Sequence, residues 1–249
     1  AAAIEWNCPT SPETTGTFDL SSSCTLGAPV TLNESLSIEG GTHVTWAQLD
    51  AGAAMVTITM ADSNSGYFPH FTVDTHTLTL KWLKLEKGRN LDSSTGQGGS
   101  VVLTSGVLYA TLCWFDDNKV DMGADFSWAE HGGAIAVNSA AGTVTLVDTK
   151  ISDNYAYYWG GGIYVKGSSS SKRASLTITR GSVVSNDAGG SGEKGGGIYA
   201  ENADVMITGA TIEDNGGASA GGGGVYLNGG SATIRESAIL NNSPDNTFN

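Results

Sequence analysis

The sequence predicts an all-β fold: a right-handed parallel β-helix with three short strands in each coil and a disulfide-bearing N-terminal cap. Three observations support this prediction. A glycine-led apolar motif recurs along the chain. Each copy is followed by an alternating apolar segment and then by a segment that ends in asparagine. The segments between these landmarks have a strand period rather than a helical one.

The glycine-led motif opens each repeat. It reads HGGAIAV, WGGGIYV, KGGGIYA and GGGVYL, with a looser copy, QGGSVVL, upstream. The first apolar residues after the glycines are Val101, Ile135, Ile163, Ile198 and Val225, which are 34, 28, 35 and 27 residues apart. A recurrence of this length indicates an array of structural repeats. Glycine suits a sharp turn into a strand because it adopts positive φ and allows backbones to approach closely.

An asparagine ends the last strand of each repeat, at Asn118, Asn154, Asn186, Asn215 and Asn242. The positions ten, eight and three residues before each asparagine are apolar in all five repeats. The first two alternate as in one strand, and the third belongs to a separate short strand. Three strands per repeat describe one coil of a parallel β-helix. We expect the asparagines to adopt left-handed backbone and to stack inward as a ladder of bonded amides.

The first part of the chain departs from this pattern. We assign residues 1–29 to an N-terminal cap and residues 30–249 to the β-helix. Cys8 and Cys24 lie 16 residues apart in the cap, a spacing that suits a disulfide in an oxidising compartment. Cys113 lies in a predicted strand, where we expect a free, buried thiol.

Composition excludes some classes of function. The net charge of −13 opposes binding to nucleic acid, which requires a cationic face. No apolar run approaches the roughly 20 residues of a membrane helix, so no membrane insertion is predicted. The sequence begins AAAIEWNC, which is similar to the remainder left by signal cleavage. Asn33 and Asn241 fit the glycosylation pattern, and together these features predict a secreted or cell-surface glycoprotein.

An acidic loop at residues 116–131 is the strongest candidate for catalysis. Its ionisable residues are Asp116, Asp117, Lys119, Asp121, Asp125, Glu130 and His131. Pairs of carboxylates perform acid–base chemistry on sugars, and parallel β-helices include polysaccharide lyases, hydrolases and epimerases. A solvated acidic loop explains the same residues, and the cluster does not recur on neighbouring coils. The loop also fails the EF-hand pattern, so neither a metal site nor a cofactor is predicted.

Aromatic residues form a second candidate site, for contact with a glycan or protein partner. Tyr157, Tyr158 and Trp159 occupy the equivalent loop one repeat later, and Trp128 precedes them. Aromatic faces bind sugar rings and protein partners. The alternative is that these rings cover one another and seal the glycine-rich corner. Threonines beside the core positions are also similar to the flat faces of ice-binding β-helices, but Met206 and Arg235 interrupt that grid.

The tandem motifs HGGAIAV…VTLVDTKISDN, WGGGIYV…LTITRGSVVSN and KGGGIYA…VMITGATIEDN resemble the GGAI and FxxN repeats of the polymorphic outer membrane protein family. The resemblance covers residues 78–249, roughly two-thirds of the chain. The strict FxxN form is present at residues 115–118, and Ile or Val replaces Phe elsewhere. The resemblance implies a right-handed parallel β-helix. It also implies a surface role, since members of the family are mostly adhesins or surface components.

The sequence therefore predicts a secreted, non-catalytic structural or adhesive protein of the cell surface. The alternative is a carbohydrate-active β-helix enzyme that uses the acidic loop. The chain continues only seven residues past Asn242, and we expect the open coil to associate end to end with another copy, as in a filament or appendage. The competing expectation is a monomer in which the last residues fold back as a cap.

Overall fold

The computed structural model describes residues 4–5, 16–32, 34–61, 68–90, 97–121, 131–138, 141–190, 192–217 and 219–248. These residues form parallel β-strands and one short α-helix, α1 (Trp46–Asp50). The first strands are β1 (Ile4–Glu5), β2 (Gly16–Leu20), β3 (Cys24–Leu26), β4 (Val30–Leu32), β5 (Leu36–Gly40), β6 (Val56–Met60), β7 (Phe71–Val73), β8 (Thr77–Lys81), β9 (Leu83–Glu86), β10 (Arg89–Asn90), β11 (Val101–Leu103) and β12 (Val107–Thr111). The later strands are β13 (Trp114–Asp116), β14 (Lys119–Val120), β15 (Ile135–Asn138), β16 (Thr143–Ser152), β17 (Tyr155–Ala156), β18 (Ile163–Lys166), β19 (Ala174–Val184), β20 (Asp187–Ala188), β21 (Ile198–Glu213), β22 (Val225–Arg235), β23 (Ala238–Leu240) and β24 (Thr247–Phe248).

The strands stack coil upon coil into three long faces. The glycine-led face contains β4, β7, β11, β15 and β18 and continues into β21, β22 and β24. The alternating face contains β2, β5, β8 and β12 and the first halves of β16 and β19, and it continues into β21 and β22. The third face contains β3, β6, β9 and β13 and the second halves of β16 and β19. Strands β16 and β19 are long because each continues around the corner from the alternating face to the third face, and β21 runs through all three faces.

A fourth, shorter row of strands was not predicted. β10, β14, β17 and β20 contain two residues each. The last three lie directly after a corner asparagine, and β10 follows Gly88 at the equivalent position. Two residues have no detectable period, so the sequence pattern offered no evidence for this row. Each coil there has four strands rather than the predicted three.

The core is a set of apolar columns inside the coil. Parallel register places Leu78, Leu108, Val144, Leu176 and Val205 above one another on the alternating face. All five are buried. Burial of such a side chain stabilises the fold by about 1.5–3 kcal/mol, so the stack of coils is cooperative.

The β-helix begins earlier than the sequence analysis placed it. Strand β2 pairs with β5 and strand β3 pairs with β6, and Phe18, Leu20 and Leu26 are buried in the core. Residues 16–26, assigned to the cap from the sequence, therefore form an additional coil. Cys8 lies outside the described residues, so the Cys8–Cys24 disulfide stays a prediction. Cys113 is free and buried, as predicted.

Helix α1 is inserted between β5 and β6. Thr45 caps it by accepting a hydrogen bond from the backbone N–H of Gln48, whose side chain in turn accepts from the backbone N–H of Thr45. Leu49 is buried, and the ring of His43 stacks on Trp82 with centroids 3.9 Å apart. The helix packs against β16 on the outer side of the third face. Across the described ranges, no helix has the length and apolar character needed to span a membrane.

Candidate functional site

The five corner asparagines form one buried ladder. Nδ2 of Asn118 donates to Oδ1 of Asn154 at 3.0 Å, and the following three steps, through Asn186 and Asn215 to Asn242, each measure 2.9 Å. Each of these acceptor oxygens also accepts a bond from the backbone N–H of the asparagine one coil earlier. The Nδ2 groups also donate to backbone carbonyls of the preceding coil. The asparagine ladder that the sequence analysis proposed thus links successive coils through side-chain hydrogen bonds.

The left-handed backbone at this corner does not belong to the asparagines, contrary to the expectation above. It belongs to the residue before each one: Asp117, Asp153, Ser185, Asp214 and Asn241, with φ between 49° and 57°. Asp and Asn tolerate this region better than most residues and fill four of the five positions. The ladder asparagines therefore serve the amide bonds, and the preceding residues serve the turn.

The ladder also explains the third glycine of the motif. In the best-formed copy, Gly160 has φ 65° and makes the turn. A Cβ at Gly161 would clash with backbone carbonyl oxygens of the next coil. A Cβ at Gly162 would lie 2.8 Å from the carbonyl oxygen of Gly197 and 3.1 Å from Cγ of the ladder residue Asn186. Each glycine thus has a separate structural reason: a turn, the contact between coils, and room for the ladder.

Aromatic rings stack into a column on the outer side of the glycine-led face. The ring centroids of Tyr164, Tyr199 and Tyr226 are 5.4 Å apart at each step. His131 stacks on Tyr164 at 4.5 Å, and Trp159 stacks on Tyr199 at 5.0 Å. Burial raises the pKa of Tyr164 and of Tyr199. His131 is buried within this column, so it is part of the packing rather than a base in an open groove.

The aromatic residues proposed for partner contact pack largely against one another. The ring of Tyr157 meets Tyr158 edge-on at 4.9 Å, and the ring of Trp159 lies parallel to His131 at 4.7 Å. All three aromatic side chains are half-buried. Trp128 lies outside the described residues. This geometry favours the sealing role over an open platform, and contact with a partner here stays a prediction.

The described members of the acidic loop diverge. Asp116 faces outward on the third face, where its carboxylate accepts a hydrogen bond from a lysine of the preceding coil. Asp121 lies beyond β14 and pairs with Lys119 at 2.8 Å. His131 belongs to the aromatic column, and residues 122–130 lie outside the described part of the chain. Among the described residues, no three His, Cys, Asp or Glu side chains are grouped to hold a metal ion.

A charged cluster on the third face holds neighbouring coils together. Lys84 Nζ lies 2.7 Å from Glu86 Oε2 and 2.8 Å from Asp116 Oδ2, and it lies 4.4 Å above the ring of Trp114. Burial alone would lower the pKa of Lys84, but hydrogen bonds to Asp116 and Glu86 raise it. Trp114 Nε1 donates to Ser152 in the next coil at 2.8 Å. This lysine stays protonated and joins two coils.

The alternating face presents an outward row of side chains, the one whose threonines the sequence analysis compared with the flat faces of ice-binding β-helices. Its middle column, in parallel register, contains Thr79, Tyr109, Thr145, Thr177, Met206 and Thr233. Tyr109 is 45% exposed and Met206 is 51% exposed, the two highest values among the large hydrophobic residues of the described chain. The face combines hydroxyls with two protruding apolar groups.

The two glycosylation patterns differ in what the structure shows of them. Asn241 is exposed at a corner with φ 57°, and Ser243 beside it is also exposed. This exposure is what a modified asparagine requires. Asn33 lies outside the described residues, and glycosylation at either position stays a prediction.

Comparison with known proteins supports the fold class. Residues 133–247 match the family model described as a right handed beta helix region. Together with the parallel register of the coils, this match shows that the protein is a right-handed parallel β-helix. Searches of the curated proteins and of the solved structures gave no match.

Proposed function

We propose that this protein is a non-catalytic structural or adhesive component of a cell surface, similar in role to the polymorphic outer membrane protein family that its repeats resemble. The observation that supports the proposal most is that its charged residues form ion pairs between neighbouring coils. Five ion pairs join adjacent coils: Lys81–Glu39, Lys84–Asp116, Lys166–Glu201, Arg173–Asp204 and Arg180–Asp148. An exposed pair contributes only about 0–1 kcal/mol, but together with the asparagine ladder these pairs support one continuous stack.

The alternating face is the surface that we assign to adhesion. A solenoid presents extended faces to its partners, and exposed aromatic and methionine side chains are the usual anchors of such contacts. Tyr109 and Met206 occupy this role here, and the threonines around them supply hydroxyls. The partner would be a glycan or a protein surface.

The carbohydrate-active enzyme remains the alternative function. Such a site needs two or three carboxylates converging with a base. Asp116 and Asp121 instead engage separate lysines, and His131 is stacked among aromatic rings. The described residues thus give this alternative less support.

A secreted or cell-surface location and end-to-end association are parts of the same proposal. The exposed glycosylation pattern at Asn241 supports a secreted or cell-surface location. Association is supported by the last coil, where Ile234 is 36% exposed although its column is buried in earlier coils. Among the described residues no later strand pairs with β22 at Ile234, and a parallel edge of this kind accepts another strand.

Adhesion is tested by retention of the protein on immobilised polysaccharides and matrix proteins. We expect retention on at least one surface, and we expect Tyr109→Thr to weaken it at least about tenfold, because an aromatic anchor carries a large share of such contacts. Threonine keeps the β-propensity of the column, and Asn228→Thr on the glycine-led face is the matched control. Retention that is absent from every surface, or that is indifferent to Tyr109→Thr, contradicts the adhesive assignment.

A further inference from the structure

A polar cleft lies between helix α1 and the third face of the coil. It encloses about 260 Å³. Its side chains come from the helix and from three successive coils: Trp46, Asp50, Lys150, Ser182, Thr211 and Glu213. Ligand pockets in proteins typically measure about 300–1,000 Å³. The cleft lies just below that range, so it has room for a single sugar-sized ring.

The two walls of the cleft are held by the packing around it. Leu49 is fully buried and His43 stacks on Trp82, so the helix is fixed against the coil. On the opposite wall, Lys150 and Ser182 lie in one register column of the sheet, with Thr211 next in that column. A site built on such elements is formed before any ligand arrives.

One group in the cleft lacks the hydrogen bond that its burial requires. The side chain of Ser182 is outward on the third face yet only 7% exposed. Its Oγ has no hydrogen-bond partner among the described residues. Buried hydroxyls in native proteins are nearly always bonded, and an unbonded one costs free energy. A ligand hydroxyl or amine in the cleft would supply this bond.

The remaining groups define the chemistry of the ligand. Trp46 is half-buried on the helix side, so part of its indole is available for stacking. The lining contains two carboxylates, Asp50 and Glu213, and one ammonium, Lys150, for a net charge of −1. Lys150 Nζ also lies 5.0 Å from the centroid of the Trp114 ring in the neighbouring coil. This cation–π contact partly engages the ammonium outside the cleft. The cleft therefore favours a cation over an anion.

We propose that this cleft binds an amino sugar, either a free hexosamine or a hexosamine residue of a glycan. The apolar face of the pyranose would stack on Trp46, as sugar rings do on aromatic faces. Its ammonium would lie towards Asp50 and Glu213, and its hydroxyls would bond to Ser182 and Thr211. A uronate presents the opposite charge and is excluded on electrostatic grounds. The proposal is independent of the adhesive assignment, because it involves another face and does not use Tyr109.

The test is titration calorimetry of the 249-residue protein with three trisaccharides, of glucosamine, N-acetylglucosamine and galacturonic acid. We expect glucosamine to bind most tightly and galacturonic acid not to bind. Trp46→Ala should weaken the binding of glucosamine trisaccharide at least about tenfold, in line with the loss of an aromatic anchor. Asp50→Asn should reduce the preference for glucosamine over its N-acetyl form. Asp50 is exposed, so this variant keeps the fold.

Two controls separate the site from its neighbours. Tyr109→Thr lies on the alternating face and should leave the affinity for glucosamine trisaccharide unchanged. Ser182→Ala should weaken that affinity several-fold without lowering the melting temperature, since it removes a hydroxyl that has no hydrogen-bond partner among the described residues. The proposal is overturned if no trisaccharide binds, if galacturonic acid binds as well as glucosamine, or if putrescine, a cation without a ring, binds as tightly. Insensitivity to both Trp46→Ala and Asp50→Asn overturns it as well.

Discussion

Asn186 illustrates how a single side chain holds three coils. Its Oδ1 accepts from the backbone and the side chain of Asn154 in the coil before. Its Nδ2 donates to Oδ1 of Asn215 in the coil after, and to the carbonyl of Ile151. All of these groups are buried, so the partners of Asn186 would have no water to bond to if its amide were removed. The corner is therefore a point at which one substitution affects neighbouring coils.

Asn186→Ala should lower the free energy of unfolding by at least about 3 kcal/mol, because each buried group left without a partner costs about 1–3 kcal/mol. The measurement is urea unfolding at neutral pH. Asn138→Ala, at an exposed position on the glycine-led face, is the control and should change stability by less than about 0.5 kcal/mol. Equal effects of the two substitutions would show that the ladder does not stabilise the stack.

His70 is a second buried polar residue with a defined role. Nε2 lies 3.2 Å from the carbonyl oxygen of Glu86, so it carries the proton and donates. Nδ1 lies 3.0 Å from Oγ of Ser100, which donates to it. Burial lowers the pKa of His70 to about 4. The imidazole is therefore neutral in the folded protein at physiological pH.

The depressed pKa of His70 predicts acid destabilisation. On acidification the unfolded chain takes up this proton first, near pH 6.5, so the stabilisation by neutral His70 is present above that pH. It is lost as the pH falls through the folded value of about 4. The loss should reach about 3 kcal/mol at about 1.4 kcal/mol per pKa unit. Unfolding measured from pH 7 to pH 4 should therefore be less steeply pH-dependent in His70→Gln than in the wild type. Identical pH dependence in the two proteins would exclude His70 as a cause.

The glycine triplet that opens β18, β21 and β22 meets three separate steric requirements. The first glycine turns the chain, the second lies against the backbone of the next coil, and the third lies against the ladder. The coil that contains Ala134 in place of the third glycine shows that a methyl group is tolerated there. A Cβ would meet a backbone oxygen at all three positions, and most closely at the first two, so the third position is the least restrictive.

Gly161→Ala should therefore destabilise the protein more than Gly162→Ala does. The first variant places a methyl group against two carbonyl oxygens of the next coil, and the second places it less tightly, 2.8 Å from one carbonyl oxygen, that of Gly197, and 3.1 Å from Cγ of Asn186. Overpacking typically costs about 1–3 kcal/mol, and we expect Gly161→Ala to reach or exceed the upper end of that range. Thermal unfolding of the two variants gives the comparison. The reverse order would contradict the assignment of the second glycine to the contact between coils.

The sequence was sufficient for the repeated elements and insufficient for the single ones. The glycine motif and the spaced asparagines recur, so their strands and the ladder could be predicted from the pattern. The two-residue strands have no period, and residues 16–26 lie in a segment rich in Ser, Thr and Pro that obscures the alternation of Phe18 and Leu20. Helix α1 did carry a signal, the capping pair Thr45 and Gln48, but a helix of five residues has almost no periodicity.

The outer sites could not be predicted for a different reason. Exposure of Tyr109 and burial of His131 depend on which loops and neighbouring coils cover each face. The cleft beside Ser182 depends on where α1 packs, and this is a contact between residues more than 100 positions apart in the chain. A pattern read along one chain identifies which residues face outward, but it does not identify what covers them.

The last described coil exposes apolar core side chains at the end of the stack. Ile234 is 36% exposed although Ile207 in the preceding coil is buried, and Ile239, in register with the buried Ile212, is only half-buried. If this end of the stack pairs with another copy, the mass measured by sedimentation velocity should increase with protein concentration. Ile234→Lys should abolish the increase, because charged residues protect natural strand edges. Met206→Lys, an exposed substitution on the side of the coil, is the control. A single monomeric species at every concentration would remove end-to-end association from the proposal.

We claim that the protein binds at a surface and does not transform what it binds. Polysaccharides that retain the protein should be incubated with it for long periods and assayed for new reducing ends and for unsaturated products. We predict neither product above the level of a heat-denatured sample, while retention persists. Sustained release of either product, abolished by Asp116→Asn or Asp121→Asn, would contradict the claim and would establish the acidic loop as a catalytic site.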